Sequence, residues 1–348
     1  MKLLLKLVLS LAVGAVCIWF ALQKIDLHST VDILRRLPLS AVALYAVTLA
    51  ATHVFRAWRW EYLLRPIGVS LPRRRLLAIS TVGFMAILAL PVRLGEFVRP
   101  YYVVRSGQSR MSAVLGTVAV ERIVDGLVIS ILFFACYLAS PAGSYPPELK
   151  VAAWVSLIGF VTLTLFLACA LSFPEQTVRL ALHLTLLAHL APGLGQRVAD
   201  KLRALIRGFQ VLHQPHNLFP FMLQTLLYWG SNGLGVWLLA RAMNLDISLT
   251  AAYATMAFTG VLISLPNSPG LVGQFHAGVL YALSAYLPEA TVRTHGGAYA
   301  IALHGIQFVW YVSLGFIALL LVGERTPSLR EVVVDSNRAA AQGGSGAQ

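Results

Sequence analysis

Charge is scarce in this sequence. Only 12% of its 348 residues are Asp, Glu, Lys or Arg, and the acids are scarcer still, 14 against 27 bases. A soluble domain has about a quarter of its residues charged, so an ordinary water-soluble fold is excluded. Cysteine is nearly absent as well. Cys17, Cys136 and Cys169 all fall in apolar stretches, without metal-type spacing or even pairing, which excludes a disulfide framework and a zinc site and leaves core packing. The chain has no H-E-x-x-H, G-x-S-x-G, P-loop or G-x-G-x-x-G pattern. No cofactor is expected, and no enzyme activity.

What the chain has is apolar length. Its residues are 58% hydrophobic, and the stretches Leu3–Leu22, Leu39–Trp58, Val151–Ser172, Leu218–Ala240 and Ala298–Val322 approach the roughly 20 residues that cross a bilayer. The fold class that follows is an all-α, polytopic integral membrane protein. Met1–Leu22 begins with Lys2 and Lys6, but its apolar run exceeds the roughly 7–15 residues of a signal-peptide core, and Trp19-Phe20 makes a poor cleavage site. It reads as the first span. The net charge of +13 fits Lys and Arg gathered on the cytoplasmic side better than a nucleic-acid partner, because no basic stretch belongs to a soluble nucleic-acid fold.

Two apolar segments are too short and too broken to be ordinary spans: Leu76–Pro91, and Leu249–Pro266 with its return arm Ala277–Leu287. If each dips in and turns back, six basic residues (Lys24, Arg35, Arg36, Lys150, Arg241, Arg293) lie outside and the remaining 21 of the 27 lie inside. This gives about six full spans plus two re-entrant hairpins, one from each face, in the inner (cytoplasmic) membrane with both termini cytoplasmic. Eight full spans is the alternative. A single membrane domain, 1–322, precedes a polar Gly/Ala/Ser tail, 323–348, that reads as disordered.

The two hairpins resemble one another. Thr81 matches Thr255, Phe84 matches Phe258, and Leu90-Pro91 matches Leu265-Pro266. Gly95-Glu96-Phe97 then matches Gly273-Gln274-Phe275. Short, Pro/Gly-interrupted segments in corresponding halves point to an inverted repeat with a substrate site at its centre, here with pseudo-repeats of about 39–140 and 218–322.

The first hairpin also has charges. "LPVRLGEFVRPYYVV" places Arg93, Glu96 and Arg99 three apart, on one helical face. An ionisable group at the bilayer centre costs about 2.5–3.5 kcal/mol, so three of them facing lipid would cost roughly 8–10 kcal/mol on the same scale. They should face a cavity and one another instead. "AVERIVDGL" adds Glu121, Arg122 and Asp125 at the start of an apolar helix. Together the six form a nearly neutral set: either a polar vestibule for a charged headgroup or coupling ion, or a salt-bridge lattice that fixes helix registry.

Two further pairs lie three apart, His53 with Arg56 and His304 with Gln307. Interhelical hydrogen bonding is the expected role of both, with the lining of a common cavity as the other reading. "GQRVADKLRALIRGFQVL" is amphipathic with a basic face, suited to lying on anionic inner-leaflet lipid; a solvated connecting helix is the alternative.

The ordered trio "LPVRLGEFVRPYYVVRSG", "ERIVDGL" and "LPNSPGLVGQFHAGVLYAL" resembles the flippase-like membrane region of lysylphosphatidylglycerol synthases and its stand-alone relatives, from about Leu39 to Val322. The resemblance implies translocation of a lipid or lipid-linked intermediate between leaflets. It also implies that the motif positions line the lipid path: Arg93, Glu96, Arg99, Glu121, Arg122 and Asp125 from one side, Pro266, Ser268, Pro269, Gly270, Gly273, Gln274 and His276 from the other. In the synthases an aminoacyl-transferase domain follows the membrane region. Here the chain runs into the polar tail, and synthase activity is not expected. The family's motif often ends Gly-x-Phe-Glu, whereas "GQFH" places His276 at the carboxylate position. The rival to a translocase is a non-transporting scaffold or accessory subunit of lipid synthesis.

Overall fold

Lipid cannot satisfy backbone amides, so apolar runs of this length fold as helices. A computed structural model describes residues 15–19, 25–89, 95–105, 107, 109–140, 145–173, 175–179, 199, 214–264 and 268–322, and among these the regular elements are all helical. Those of eight residues or more are α1 (Leu27–Arg35), α2 (Leu39–Leu64), α3 (Arg73–Ala89), α4 (Val98–Arg105), α5 (Met111–Ala139), α6 (Pro147–Ser172), α7 (Pro215–Ala242), α8 (Leu249–Ser264), α9 (Gln274–Leu283) and α10 (Gly297–Val322). Most of the first expected span, most of the basic amphipathic loop and the tail lie outside the described residues, as do Pro91, Arg93 and Pro266.

Among the described residues, four stretches are long and apolar enough to cross a membrane: Leu39–Ile67, Met111–Ala139, Pro147–Phe166 and Glu289–Leu320. The helix α7 matches them in length, but Gln224, Ser231 and Asn232 interrupt its apolar character. The side chains of Val151, Trp154, Val155, Ile158 and Leu165 on α6 point outward, as a lipid-facing helix requires. The connection before α2 contains α1. Asp26 caps α1: its carboxylate accepts from the His28 amide at 3.0 Å and from the Ser29 hydroxyl at 2.7 Å.

The packing pairs elements across the two halves. The most extensive contact joins α2 to α7, where Gly235 faces Thr48 so closely that a Cβ would lie 2.3 Å from its hydroxyl. The helix α3 packs on α10, and α8 packs on α5. Exchanging α2 with α7, α3 with α8, α4 with α9 and α5 with α10 carries one of these contacts onto the other. The same exchange relates α2–α3 to α7–α8 and α4–α5 to α9–α10. Three apolar clusters result among the described residues, one of them around Phe133, Tyr145 and Phe258. Of the two larger ones, one gathers around Trp60, Leu76 and Val103, the other around Tyr45, Leu239 and Tyr299.

Candidate functional site

Tyr45, Thr48, Thr52, Arg56 and Arg59 recur every three or four residues along α2, which puts them on one face of the helix. That face meets α5. Arg59 is fully enclosed, and both of its terminal nitrogens donate to Asp125, at 2.6 Å to Oδ1 and 2.7 Å to Oδ2. Its Nε stands 3.5 Å from Glu121 Oε1, an ion pair without a hydrogen bond, and Nη1 also reaches Thr225 Oγ1 at 3.3 Å. Such a bidentate fork is the strongest pairing a carboxylate makes with a side chain.

Glu121 extends the chain of charges. Its Oε2 accepts from Arg99 Nη1 at 2.7 Å. Arg99 is only 1% exposed, with its guanidinium carbon 3.9 Å from the centre of the Trp60 ring. Its stem crosses α3 at Gly83, where a Cβ would lie 2.1 Å from Arg99 Cγ. Arg122 Nη2 lies 3.3 Å from Asp125 Oδ2. The order of charges is therefore Arg99, Glu121, Arg59, Asp125, Arg122, alternating in sign.

A cavity of about 370 Å³ opens beside this chain, within the range of small-ligand sites. The first hairpin contributes Phe84, Ile87 and Leu88 to its wall, and the second contributes Ser264, Leu271 and Phe275. Polar groups converge from α2 (Arg56), α5 (Arg122, Asp125), α7 (Asn232) and α10 (His304, Gln307). Aromatic rings of Phe160, Tyr228, Trp229 and Tyr311 complete it. The Phe160 ring sits where a Cβ on Gly126 would be, 1.9 Å from its Cε1. Among the described residues no group of three or more His, Cys, Asp or Glu could hold a metal ion.

The motif of the second hairpin mostly builds its own turn. Gly270 and Leu271 are left-handed, with φ of 67° and 59°, and Gly273 has φ 88° and ψ −62°, conformations that side chains resist. Ser268 Oγ donates to the Val272 carbonyl at 2.6 Å, and Gln274 Oε1 accepts from the Ser268 amide at 3.0 Å. His276 Nδ1 faces the Gly273 amide at 3.4 Å, the reciprocal arm that a Glu at the third helical position supplies in a capping box. The imidazole thus fills the reciprocal arm of the cap. His276 also meets His304 edge-on at 4.9 Å, and His304 stacks on Phe275 at 4.8 Å, which joins the turn to α10.

Of the positions expected from sequence, Arg122 and Asp125 line the cavity, while Glu121 and Arg99 stand behind it as enclosed partners. Glu96, half-buried in the helical turn 95–97, is off the cavity wall. So are Ser268, Gly270, Gly273, Gln274 and His276, and Pro269 starts the same turn. The largest difference concerns Arg56 and Arg59, counted from sequence among cytoplasmic interface arginines. The helix α2 runs on to Leu64, so both fall inside the bundle, where Glu121 and Asp125 offset their charge. The polar stripe from Tyr45 to Arg59 was the signal available. His304 and Gln307 line the cavity, whereas His53 bonds Thr81 at 2.7 Å.

The sequence matches the family described as the lysylphosphatidylglycerol synthase TM region over residues 7–315. The chain belongs to that family, as a multi-pass membrane protein. Comparison with curated proteins and with solved structures gave no match.

Proposed function

We propose that this protein moves a lipid, or a lipid-linked intermediate, between membrane leaflets, with the headgroup passing through the central cavity while the apolar tail stays in the bilayer. The observation that carries the reading is a largely apolar cavity on which a few polar groups converge, walled in part by residues of both hairpins, inside a protein whose outer surface is apolar. Backbone that breaks helix at membrane depth persists where it lines such a space. In this reading Arg122 touches the headgroup. Arg99, Arg59, Glu121 and Asp125 hold the helices that shape the cavity, and Arg93 and Glu96 serve its approach.

The reading includes a topology of six spans and two re-entrant hairpins related as an inverted repeat. Two observations favour it. Each hairpin has an arm of 17 or 16 residues followed by one of only 8 or 10, about 12–15 Å at 1.5 Å per residue, half a hydrocarbon core. In addition, the contacts exchange between halves as a repeat requires. Gly107 sits in an open turn where a Cβ meets nothing within 4 Å. In a chain without its native cysteines, Gly107→Cys labels only from the cytoplasmic side; labelling from outside means α3 crosses fully.

Translocation itself is read in proteoliposomes with fluorescent phospholipids, scored by the fraction protected from an impermeant quencher. Protein-dependent exchange of the inner pool supports the reading. Exchange no faster than in empty vesicles, together with stoichiometric copurification of a lipid-synthesis enzyme, supports the scaffold instead.

A further inference from the structure

Charge in the buried cluster does not balance. Arg56, Arg59, Arg99 and Arg122 face two carboxylates, Glu121 and Asp125, which leaves two positive charges unmatched among these residues. Asp125 is also fully engaged, while Glu121 gives Oε2 to Arg99 and holds Oε1 3.5 Å from Arg59 without a hydrogen bond. Asp125 Oδ1 accepts from Arg59 and from Trp229 Nε1, at 2.6 and 3.2 Å, and Oδ2 takes Arg59 at 2.7 Å with Arg122 at 3.3 Å. Asp125 is the single carboxylate among the described residues that line the cavity.

Arg56 is the cation left over. It lines the cavity, none of its nitrogens takes part in the ion-pair chain described above, and its Nε is buried without a hydrogen-bond partner. Phe84 covers the guanidinium, 4.1 Å from its carbon to the ring centre. A ring on that face orients the plane and leaves the N–H edge to bind. Arg122 Nε, on the same cavity wall, is likewise buried without a partner. Two guanidinium edges in a low-dielectric pocket match the oxygens of a phosphate in geometry and in charge.

From this we infer that Arg56, assisted by Arg122, binds the phosphate of an anionic lipid headgroup, and that the cavity rejects cationic headgroups. The inference rests on the reading of the cavity as a headgroup site. An ammonium there would face two guanidinium groups and an Asp125 whose oxygens are already taken. The selection runs against the aminoacylated, cationic lipid named in the family description, so this member is assigned to a phosphate-bearing lipid without a net positive head.

The test is binding to the purified full-length protein in nonionic detergent, using three dioctanoyl compounds: phosphatidylglycerol, diacylglycerol and trimethylammonium-propane. Phosphatidylglycerol is expected to bind at least tenfold more tightly than the other two. Arg56→Gln should weaken it by roughly 10- to 100-fold, the range given by loss of hydrogen bonds to a charged partner, and Arg56→Lys should retain part of the affinity. Equal or tighter binding of the cationic compound overturns the inference, as does unchanged affinity in Arg56→Gln. If that variant fails to fold, the wild-type ligand series still decides. Glycerol 3-phosphate competing as well as the acylated lipid overturns a lipid as the source of the phosphate. Arg56-dependent preference without transbilayer movement leaves the inference standing and removes the translocase; movement without charge preference does the reverse.

Discussion

Removing Asp125 tests the logic of the buried charges most directly. Asp125→Ala deletes both acceptors of the Arg59 fork, which are 2.6 and 2.7 Å away. Arg59 has no exposed surface, and its remaining acidic neighbour is Glu121 at 3.5 Å. The unmatched charge of the cluster rises from two to three. Breaking a buried pair by removing one partner costs about 3–5 kcal/mol, because the other charge is left uncompensated. The companion variant, Arg59→Met with Asp125→Ala, returns the unmatched charge to two and should recover much of that loss despite carrying one more substitution. Reversible unfolding in mixed micelles, followed by tryptophan fluorescence, measures both. A single variant within about 1 kcal/mol of wild type, as for an exposed pair, refutes the argument. So does a double variant less stable than the single one.

Other expectations concern the elements around the cavity. Gly83→Val places a branched side chain against the Arg99 stem, 2.1 Å from Cγ at its Cβ alone, and overpacking of this kind costs about 1–3 kcal/mol; denaturant midpoints would read it, and an unchanged midpoint means Arg99 has another route. His276→Glu, whose carboxylate can cap the Gly273 amide, should retain more stability than His276→Ala, which loses an N-terminal cap of about 0.5–2 kcal/mol; equal losses would remove capping as the role of that position. Outside the membrane, the Asp26 carboxyl is held below its usual range, chiefly by the Ser29 hydroxyl. A depressed folded-state value means that the cap persists above the ordinary carboxylate range and is lost as pH falls through the lowered one. Hydrogen exchange across α1 should therefore rise on strong acidification, and at neutral pH in Asp26→Ala.

The helical spans were legible because twenty apolar residues in a row leave lipid-exposed backbone one solution. The burial of Arg99, Glu121 and Asp125 was legible from cost alone, since facing lipid is expensive for each of them. Two things were hidden. The end of α2 was read at Trp58, the last residue of the apolar stretch Leu39–Trp58. The helix continues because Arg59 finds Asp125 and Trp60 Nε1 finds Thr117, partners 66 and 57 positions away. No local pattern encodes that meeting. The role of the second motif was hidden for the opposite reason: its Gly and Pro positions report backbone shape, and shape alone does not say whether a residue faces a ligand or its own turn.

This division bears on how the site works. A cation that binds a mobile headgroup must release it, so it cannot also be held by a bidentate carboxylate. Arg59 and Arg99 are so deeply paired that drawing either toward a ligand would strand Asp125 or Glu121 in a dry interior. Arg56 and Arg122 line the cavity, each with an Nε that has no hydrogen-bond partner. Arg56 stands outside the ion-pair chain, and Arg122 meets Asp125 through one contact at 3.3 Å whose loss leaves the Arg59 fork in place. The paired arginines fix where α2, α4 and α5 meet; the open ones act on what enters. Variants of the first kind should lose stability and activity together, and variants of the second kind should lose affinity while the fold remains.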